Sequence, residues 1–162
     1  MNTRRRVRLL SLLSSNADNN VGQRTINNEI GMSQEYLFVY GTLRRGSMSD
    51  MYRLLAGHAD FIDDASYQGR LYRVDDYPGA VASDDANDRV KGEVYALREP
   101  AKILPILDDY EGCGPRSAEY VRMRQAVLLN SGDELTAWVY IYQHPTHELV
   151  HILSGDFLHQ HR

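Results

Sequence analysis

The segment that most restricts the fold lies near the end of the chain, where two strand-like segments flank a turn. Residues 120–129 place apolar side chains on alternate positions, and residues 135–142 are apolar on both alternations. Residues 130–133, Asn-Ser-Gly-Asp, are of the types that form tight turns. The pattern predicts an antiparallel hairpin whose second strand is covered on both faces.

Three other segments predict strands. Residues 61–74 and 90–97 alternate apolar and polar side chains, the second as a half-buried strand, and Pro78-Gly79 between them predicts a turn. Tyr36 to Tyr40 is an unbroken apolar run that stops at Gly41, which is typical of a buried strand that opens into a loop.

Helices are expected between these strands. One would be capped by Ser47 or Ser49 and end at Gly57, and its buried face would consist of Met48, Met51, Tyr52 and Leu55. A second would begin at Pro100, with a break or restart at Pro105, and residues 148–158 would form a short closing helix or an ordered tail. Because strands outnumber helices, the expected fold class is α+β, a small mixed β-barrel with a few flanking helices.

Length and composition limit the classes of protein that fit. A chain of 162 residues has the size of one domain, which we place at residues 35–162. The net charge of -4 gives no reason to expect a nucleic-acid partner. No apolar run approaches the roughly 18 residues that span a bilayer, so we expect a soluble, cytoplasmic protein without a membrane partner. Cys113 is the only cysteine, which excludes an internal disulfide and a four-cysteine zinc site.

Residues 1–34 differ in composition from the rest. Arginines at positions 4, 5, 6 and 8 precede four leucines and a long polar stretch. We predict a disordered leader, or residues that follow an upstream start codon before a domain beginning near Met32. An organelle transit peptide, which is Arg- and Ser-rich, is the alternative; the long apolar stretch of a secretory signal is missing.

Two positions are candidates for chemistry on local grounds. Gly41 lets the backbone approach a ligand, so the N–H groups of Thr42 and Leu43 could donate to a ligand oxygen. Glu111 precedes Gly112 at the expected end of a helix, where side chains often take part in function. On pattern alone, the ordinary interpretation of Glu111 is a surface acid at a helix end.

Other candidate chemistries are disfavoured. The chain has no Gly-x-Ser-x-Gly elbow, phosphate loop or dinucleotide fingerprint. Paired aspartates recur, but without the spacing of a calcium loop, so solvated turns explain them. His144, His147 and His151 have spacings that suit metal ligands, but Pro145 breaks the helical geometry that this would need. We therefore expect no metal site.

Several of these residues belong to motifs that occur together in one known family. The motifs are Tyr40-Gly41-Thr42-Leu43-Arg44-Arg45-Gly46, Tyr77-Pro78-Gly79, Val90-Lys91-Gly92-Glu93-Val94-Tyr95, Leu107-Asp108-Asp109-Tyr110-Glu111-Gly112 and Tyr120-Val121-Arg122. Over about residues 36–143 the chain resembles γ-glutamylcyclotransferase-like proteins, and most closely the γ-glutamylamine cyclotransferase branch together with the AIG2-like proteins. Five motifs in the family's order make a chance match improbable.

The resemblance implies a fold and a reaction. The fold would be a small barrel with flanking helices. The reaction would cyclise the γ-glutamyl group of a small γ-glutamyl amine to 5-oxoproline and release the amine, without a metal or organic cofactor. The family's acid/base glutamate corresponds to Glu111. The glutamyl part would be bound by the loop Tyr40, Gly41, Thr42 and Leu43.

The chemistry fits these residue types. A single carboxyl group can take a proton from the substrate's α-amine and give one to the departing amine, and burial of Glu111 against Tyr110 would raise its pKa toward neutrality. Backbone N–H groups of Thr42 and Leu43 would either stabilise the oxyanion or hold the substrate carboxylate, and both assignments stay open. Tyr120 would either close over the ligand or use its hydroxyl within the core.

Two other residues and one other function are alternatives to this interpretation. Glu93 is a second candidate carboxylate, but in a strand we expect it to be structural, paired with Arg122 or Lys91. Cys113 would need a nearby histidine to act as a nucleophile, and the sequence places none beside it. The rival function is a non-catalytic protein of the same fold that binds a small molecule.

Overall fold

The computed structural model describes residues 33–115 and 118–159, so that residues 1–32 of the predicted leader lie outside the described part. The strands are β1 (Tyr36–Val39), β2 (Ala59–Arg73), β3 (Pro78–Ala82), β4 (Arg89–Leu97), β5 (Tyr120–Leu129), β6 (Glu134–Tyr142) and β7 (Val150–His151). The helices are α1 (Asp50–His58) and α2 (Pro100–Tyr110), with 3-10 turns at Arg45–Ser47 and Phe157–His159. No helix in residues 33–115 or 118–159 is long and apolar enough to cross a membrane.

Five strands close into a barrel. Their order is β2-β4-β1-β6-β5, and β5 pairs with β2 again to complete the ring. β1 and β6 are parallel while the other neighbours are antiparallel, so the barrel is mixed. The predicted hairpin is confirmed, because β5 and β6 pair from Tyr120 with Tyr142 to Leu128 with Glu134. With two flanking helices, the architecture confirms the predicted α+β barrel.

The apolar run of β1 is explained by burial on both of its faces. Phe38 points into a cluster inside the barrel, whereas Leu37 and Val39 belong to a second cluster beneath α2. Ile103 and Leu107 of α2 are fully buried in this second cluster. Strand β1 is therefore held between two hydrophobic clusters, which fixes the position at which the loop after it begins.

The predicted bounds of the first helix were partly wrong. Ser49 is the N-cap, because its hydroxyl accepts a hydrogen bond from the Tyr52 N–H at 3.0 Å. Met48 lies before the cap with a φ of 54° and is 74% exposed, so it is not part of the buried face. Gly57 does not end the helix, which continues to His58.

The predicted turn at Pro78-Gly79 was also wrong, because both residues lie in β3. The chain turns earlier, where Asp75 has a φ of 85° and the Val74 N–H donates to the Tyr77 carbonyl at 2.8 Å. Gly79 serves close packing instead, since a Cβ there would lie 2.8 Å from Cγ of Tyr142.

Two further expectations differ from the structure. Helix α2 runs without a break through Pro105, which is exposed, because buried side chains on the opposite face hold the helix in place. Of the two alternatives for residues 148–158, the structure has the ordered tail, with β7 and a 3-10 turn and no closing helix. Gly155, with a φ of 66°, lies against the backbone carbonyl of Arg89, where a Cβ would have no room. Strand β4, predicted to be half-buried, is buried from Gly92 to Leu97.

Glu93 is structural, as expected, but the predicted pairing with Arg122 or Lys91 was wrong. Its carboxylate is buried and lies 3.8 Å from Nε of Arg44 and 3.4 Å from Nε of Arg45. It also accepts hydrogen bonds from the Arg45 N–H at 3.1 Å and the Tyr95 hydroxyl at 2.8 Å. Two consecutive arginines after β1 therefore anchor the loop to β4.

Arg44 also ties this loop to the C-terminal segment. Its Nη1 donates to Oδ1 of Asp156 at 2.7 Å, with both side chains largely buried.

We expect Asp156→Asn to lower the free energy of unfolding by about 1–2 kcal/mol, because Arg44 loses a charge-assisted hydrogen bond but keeps Glu93 nearby. Urea unfolding at pH 7 measures the change. Glu148→Gln, at a side chain 88% exposed, is the control and should change stability by less than about 0.5 kcal/mol. Equal effects would contradict the assignment.

Candidate active site

A cavity of about 360 Å³ lies between the loop after β1, the end of α2 and the start of β3. We call residues 41–46 the cradle loop. The cavity is lined by Phe38, Val39, Tyr40, Gly41, Thr42, Leu43, Asp76, Tyr77, Pro78, Tyr110, Glu111, Gly112, Glu119, Tyr120 and Tyr140. A volume of this size suits a small molecule.

Glu111 lies where α2 ends and faces this cavity. Its N–H donates to the Leu107 carbonyl at 2.8 Å, and Gly112 follows with a φ of 68°, which turns the chain away from the helix. Within the described part of the chain, no group donates a hydrogen bond to the Glu111 carboxyl. Burial raises the pKa of Glu111 to about 7, and the charge of Glu119 contributes in the same direction. The upward shift of the Glu111 pKa, and burial as its main cause, agree with the prediction from the sequence.

The cradle loop is held by two serine hydroxyls that follow it in the chain and by a hydrogen bond within its own backbone. The Thr42 carbonyl accepts hydrogen bonds from the hydroxyls of Ser47 and Ser49, and the Arg44 N–H donates to the Gly41 carbonyl at 3.1 Å. A Cβ at Gly41 would lie 2.7 Å from Cγ of Pro78, so only glycine allows the loop to approach β3 this closely.

The loop leaves backbone donors available beside the cavity. Among residues 33–115 and 118–159, no acceptor is bound by the N–H groups of Thr42 and Leu43. Both residues line the cavity, and Oγ1 of Thr42 lies 3.2 Å from the hydroxyl of Tyr110, the residue before Glu111. The loop and the end of α2 are thus joined at the cavity wall.

The two tyrosines predicted from the sequence are buried at the wall. Tyr40 donates its hydroxyl proton to the Tyr140 carbonyl at 2.6 Å, and Tyr120 donates to the Pro78 carbonyl at 2.7 Å. Burial raises the pKa of both phenols, with Glu111 adding to the rise at Tyr40. Tyr120 borders the cavity and its hydroxyl bonds within the core, as the second alternative predicts, while closure over a ligand stays a prediction.

Tyr77, Glu119 and Tyr140 are among the lining residues that were not predicted as site residues from the sequence. Tyr140 donates to Oδ1 of Asp108 at 2.8 Å, and Asp108 in turn accepts two hydrogen bonds from Arg122 at 2.7 and 3.0 Å. Tyr77 donates to Oε1 of Glu119 at 2.7 Å. Tyr77 and Glu119 are 42 positions apart, and no local pattern predicts that they meet.

The structure brings all the predicted site residues to one cavity, namely Tyr40, Gly41, Thr42, Leu43, Glu111 and Tyr120. Glu93 lies outside this lining. Burial, followed by the charge of Asp108, raises the pKa of the Cys113 thiol to about 11, which disfavours the thiolate that a nucleophile needs. Within residues 33–115 and 118–159, no group of three His, Cys, Asp or Glu side chains is arranged to hold a metal ion.

Comparisons with known proteins give consistent matches. The family model described as gamma-glutamyl cyclotransferase, AIG2-like, matches residues 37–159. The gamma-glutamylcyclotransferase family protein YtfP of Escherichia coli K12 is 33% identical over 123 residues, which cover 75% of this chain and 95% of YtfP. The gamma-glutamylaminecyclotransferase of Rattus norvegicus is 29% identical over 120 residues, which cover 65% of this chain and 76% of the rat protein.

Solved structures agree in fold. The solution structure of E. coli ytfP superposes with a TM-score of 0.53 at 33% identity, covering 78% of this chain and 99% of that one. The crystal structure of YkqA from Bacillus subtilis gives a TM-score of 0.58 at 27% identity and covers 76% of this chain. This chain spans only 39% of the length of YkqA.

Proposed function

Because this chain belongs to the gamma-glutamyl cyclotransferase, AIG2-like family, we propose that it is an enzyme that converts γ-glutamyl amines to 5-oxoproline and a free amine. Glu111 is the acid/base group. The observation that carries the proposal is the Glu111 carboxyl, which lines the cavity, receives no hydrogen bond from the described residues and has its pKa raised by burial to about 7.

The reaction needs a proton to move between two nitrogen atoms of one substrate. The α-amine attacks the γ-carbonyl carbon, a C–N bond forms within the new ring, and the C–N bond to the departing amine breaks. Glu111 takes the proton from the attacking nitrogen and delivers it to the leaving nitrogen. A substrate that enters as the α-ammonium gives up two protons from this nitrogen in turn through Glu111, and both end on the departing nitrogen, which leaves as an ammonium ion. The atoms and charges balance without water or another reactant.

The pKa of Glu111 is matched to this task. An α-ammonium group has a pKa of roughly 8, so proton transfer to a carboxylate of pKa about 7 is only slightly unfavourable. A glutamate with its ordinary value of 4.5 would make the same transfer unfavourable by roughly 5 kcal/mol. Burial of the carboxyl therefore makes it an effective base, and afterwards an effective acid.

The cradle loop supplies the complementary groups. Its free N–H groups at Thr42 and Leu43 suit a negatively charged oxygen, either the substrate carboxylate or the oxygen of the tetrahedral intermediate. Since nucleophile and electrophile belong to one molecule, the remaining task of the cavity is to hold the glutamyl chain in a folded, reactive conformation.

A panel of γ-glutamyl amines tests the proposal. We expect the purified protein to release 5-oxoproline from at least one member, with kcat/KM rising as the pH increases through about 7, where Glu111 loses its proton. Chromatographic detection of 5-oxoproline measures this. Binding of the panel members without any turnover would contradict the enzyme and favour the rival function, a small-molecule-binding protein of the same fold.

A further inference from the structure

Two carboxyl side chains share the cavity, and their surroundings differ. Glu111 and Glu119 both line it. The Tyr77 hydroxyl donates a hydrogen bond to Oε1 of Glu119 at 2.7 Å, whereas none of the described residues donates one to the carboxyl of Glu111. A hydrogen bond donated to a carboxylate favours its ionised form. Of the two side chains, Glu119 is therefore the one that the protein equips to carry a negative charge.

The backbone keeps Glu119 beside the end of α2. The Glu119 N–H donates to the carbonyl of Gly112, the residue after Glu111, at 3.3 Å. The Glu119 carbonyl accepts from the N–H of Gln143, the residue after β6, at 2.9 Å. Tyr77, from the turn before β3, holds the side chain. Three separate segments thus fix the position of Glu119.

Other ionisable groups surround Glu111. They are Tyr40 after β1, Asp76 and Tyr77 before β3, Tyr110 in α2, Cys113, Glu119 and Tyr120 around the start of β5, and Tyr140 in β6 with the Asp108–Arg122 ion pair bonded to it. Burial is the largest cause that raises the pKa of three of these phenols, Tyr40, Tyr120 and Tyr140, so they are uncharged near pH 7. Burial likewise raises the pKa of the Cys113 thiol to about 11.

The charged groups in this set are Asp76, Glu119 and the Asp108–Arg122 ion pair. The carboxylate of Asp76 is exposed to water, which screens its charge. The charge of Arg122 is balanced by Asp108, whose Oδ1 lies 2.7 Å from Nε of the arginine. Burial, followed by the charge of Glu119, raises the pKa of Glu111. Glu119 is therefore the neighbour whose charge bears on Glu111.

We propose that Glu119 is a positioning residue for the cyclisation: held as an anion by Tyr77, it makes Glu111 the carboxyl that carries the proton. This role rests on the proposed function. While Glu111 holds the proton on its way between the two nitrogen atoms, one negative charge is removed from beside Glu119, so the charge of Glu119 favours that state. The bonds made and broken are those already given for cyclisation, and Glu119 exchanges no proton.

Titration of the Glu111 carboxyl by carbon-13 NMR tests the proposal without a substrate. The signal of Glu111 is identified by its absence from Glu111→Gln. Glu119→Gln keeps the size of the side chain and an oxygen that can accept from Tyr77, but removes the charge. We expect the titration midpoint of Glu111 to fall from about 7 by roughly 0.5–1 pH unit, because burial, the larger cause of the raised value, remains.

Tyr77→Phe tests the hydrogen bond that holds Glu119. We expect the midpoint of Glu111 to fall by a smaller amount, about 0.3–0.5 pH unit, because Glu119 is then less favourably ionised. In the Glu119→Gln background the same substitution should move the midpoint by less than about 0.2 pH unit, because Tyr77 has no charge left to act through. A general disturbance of the cavity would instead add to the effect of Glu119→Gln.

Asp109→Asn is the matched control. It removes a negative charge closer in sequence to Glu111, but from an exposed side chain that does not line the cavity. It should move the midpoint by less than about 0.2 pH unit. An unchanged midpoint in Glu119→Gln, or a rise in either single variant, would overturn the role of Glu119. If Glu119→Gln does not fold, the result for Tyr77→Phe alone supports or overturns it.

The pH dependence of turnover connects this charge with the reaction. With the lower midpoint, kcat/KM of Glu119→Gln relative to wild type should be about 3- to 7-fold higher at pH 5.5 than at pH 8. Ionisation of the substrate amine is the same for both proteins and cancels in this ratio. The same ratio at both pH values would overturn the role of Glu119 while the cyclotransferase reaction stands. No 5-oxoproline from either protein would overturn the reaction and the positioning role together, and the NMR titration distinguishes this outcome from loss of the charge effect alone.

Discussion

Glu111→Gln should lower kcat for 5-oxoproline release by about 10²- to 10⁴-fold, the range for loss of a general acid/base group. Glutamine has nearly the same size and can occupy the same cavity wall, but it cannot take a proton from the α-amine. Initial rates at pH 7.5 with the best substrate of the panel measure the loss.

Substrate binding separates a chemical defect from a folding defect. Because the variant removes no hydrogen bond that the described residues make to the carboxyl, titration calorimetry with the same γ-glutamyl amine should give a Kd within about tenfold of the wild-type KM. Asp109→Asn, at the neighbouring exposed acid, should retain wild-type kcat. A Glu111→Gln variant with more than a tenth of the wild-type kcat would rule out Glu111 as the proton carrier.

The same variant should be more stable than the wild type at high pH. The pKa of Glu111 is raised from 4.5 to about 7 in the folded protein, so folding favours the protonated carboxyl. Its contribution is fully present below pH 4.5 and is lost as the pH rises toward 7, because the unfolded chain ionises first. The loss is roughly 3 kcal/mol above pH 7, at about 1.4 kcal/mol per pKa unit.

Glutamine carries no such pH dependence. We therefore expect the free energies of unfolding of Glu111→Gln and wild type to be similar near pH 4.5 and to differ by roughly 2–3 kcal/mol in favour of the variant at pH 8. Urea unfolding at both pH values, followed by the fluorescence of Trp138, gives the difference. Asp109→Asn should show no comparable change between the two values. A gap that is independent of pH would mean that the Glu111 carboxyl is well solvated in the folded protein.

Loss of activity combined with a gain in stability would distinguish Glu111 from an ordinary structural acid. The Asp156→Asn substitution is expected to do the opposite, since Asp156 stabilises the loop through Arg44. A desolvated carboxyl to which none of the described residues donates a hydrogen bond lowers stability once it ionises, and a functional role is a common reason that such an arrangement persists.

Short-range sequence patterns were enough to predict the main strands and to mark Glu111 as a candidate functional residue. The alternation in residues 120–129 and 135–142, with a turn between them, predicts the hairpin because side-chain direction in a strand repeats every two residues. Glu111 at a helix end, followed by Gly112, is likewise a local signal, and the family motifs connected it to residues 40–43.

Contacts between distant segments were decided by the tertiary structure. Glycine at position 79 predicts a turn from its neighbours alone, but in the fold it makes room for Tyr142. The pairs Tyr77 with Glu119 and Arg44 with Asp156 join residues 42 and 112 positions apart. Strand register and barrel closure bring these distant positions together and so decide which donor meets which acceptor. No short stretch of sequence encodes them.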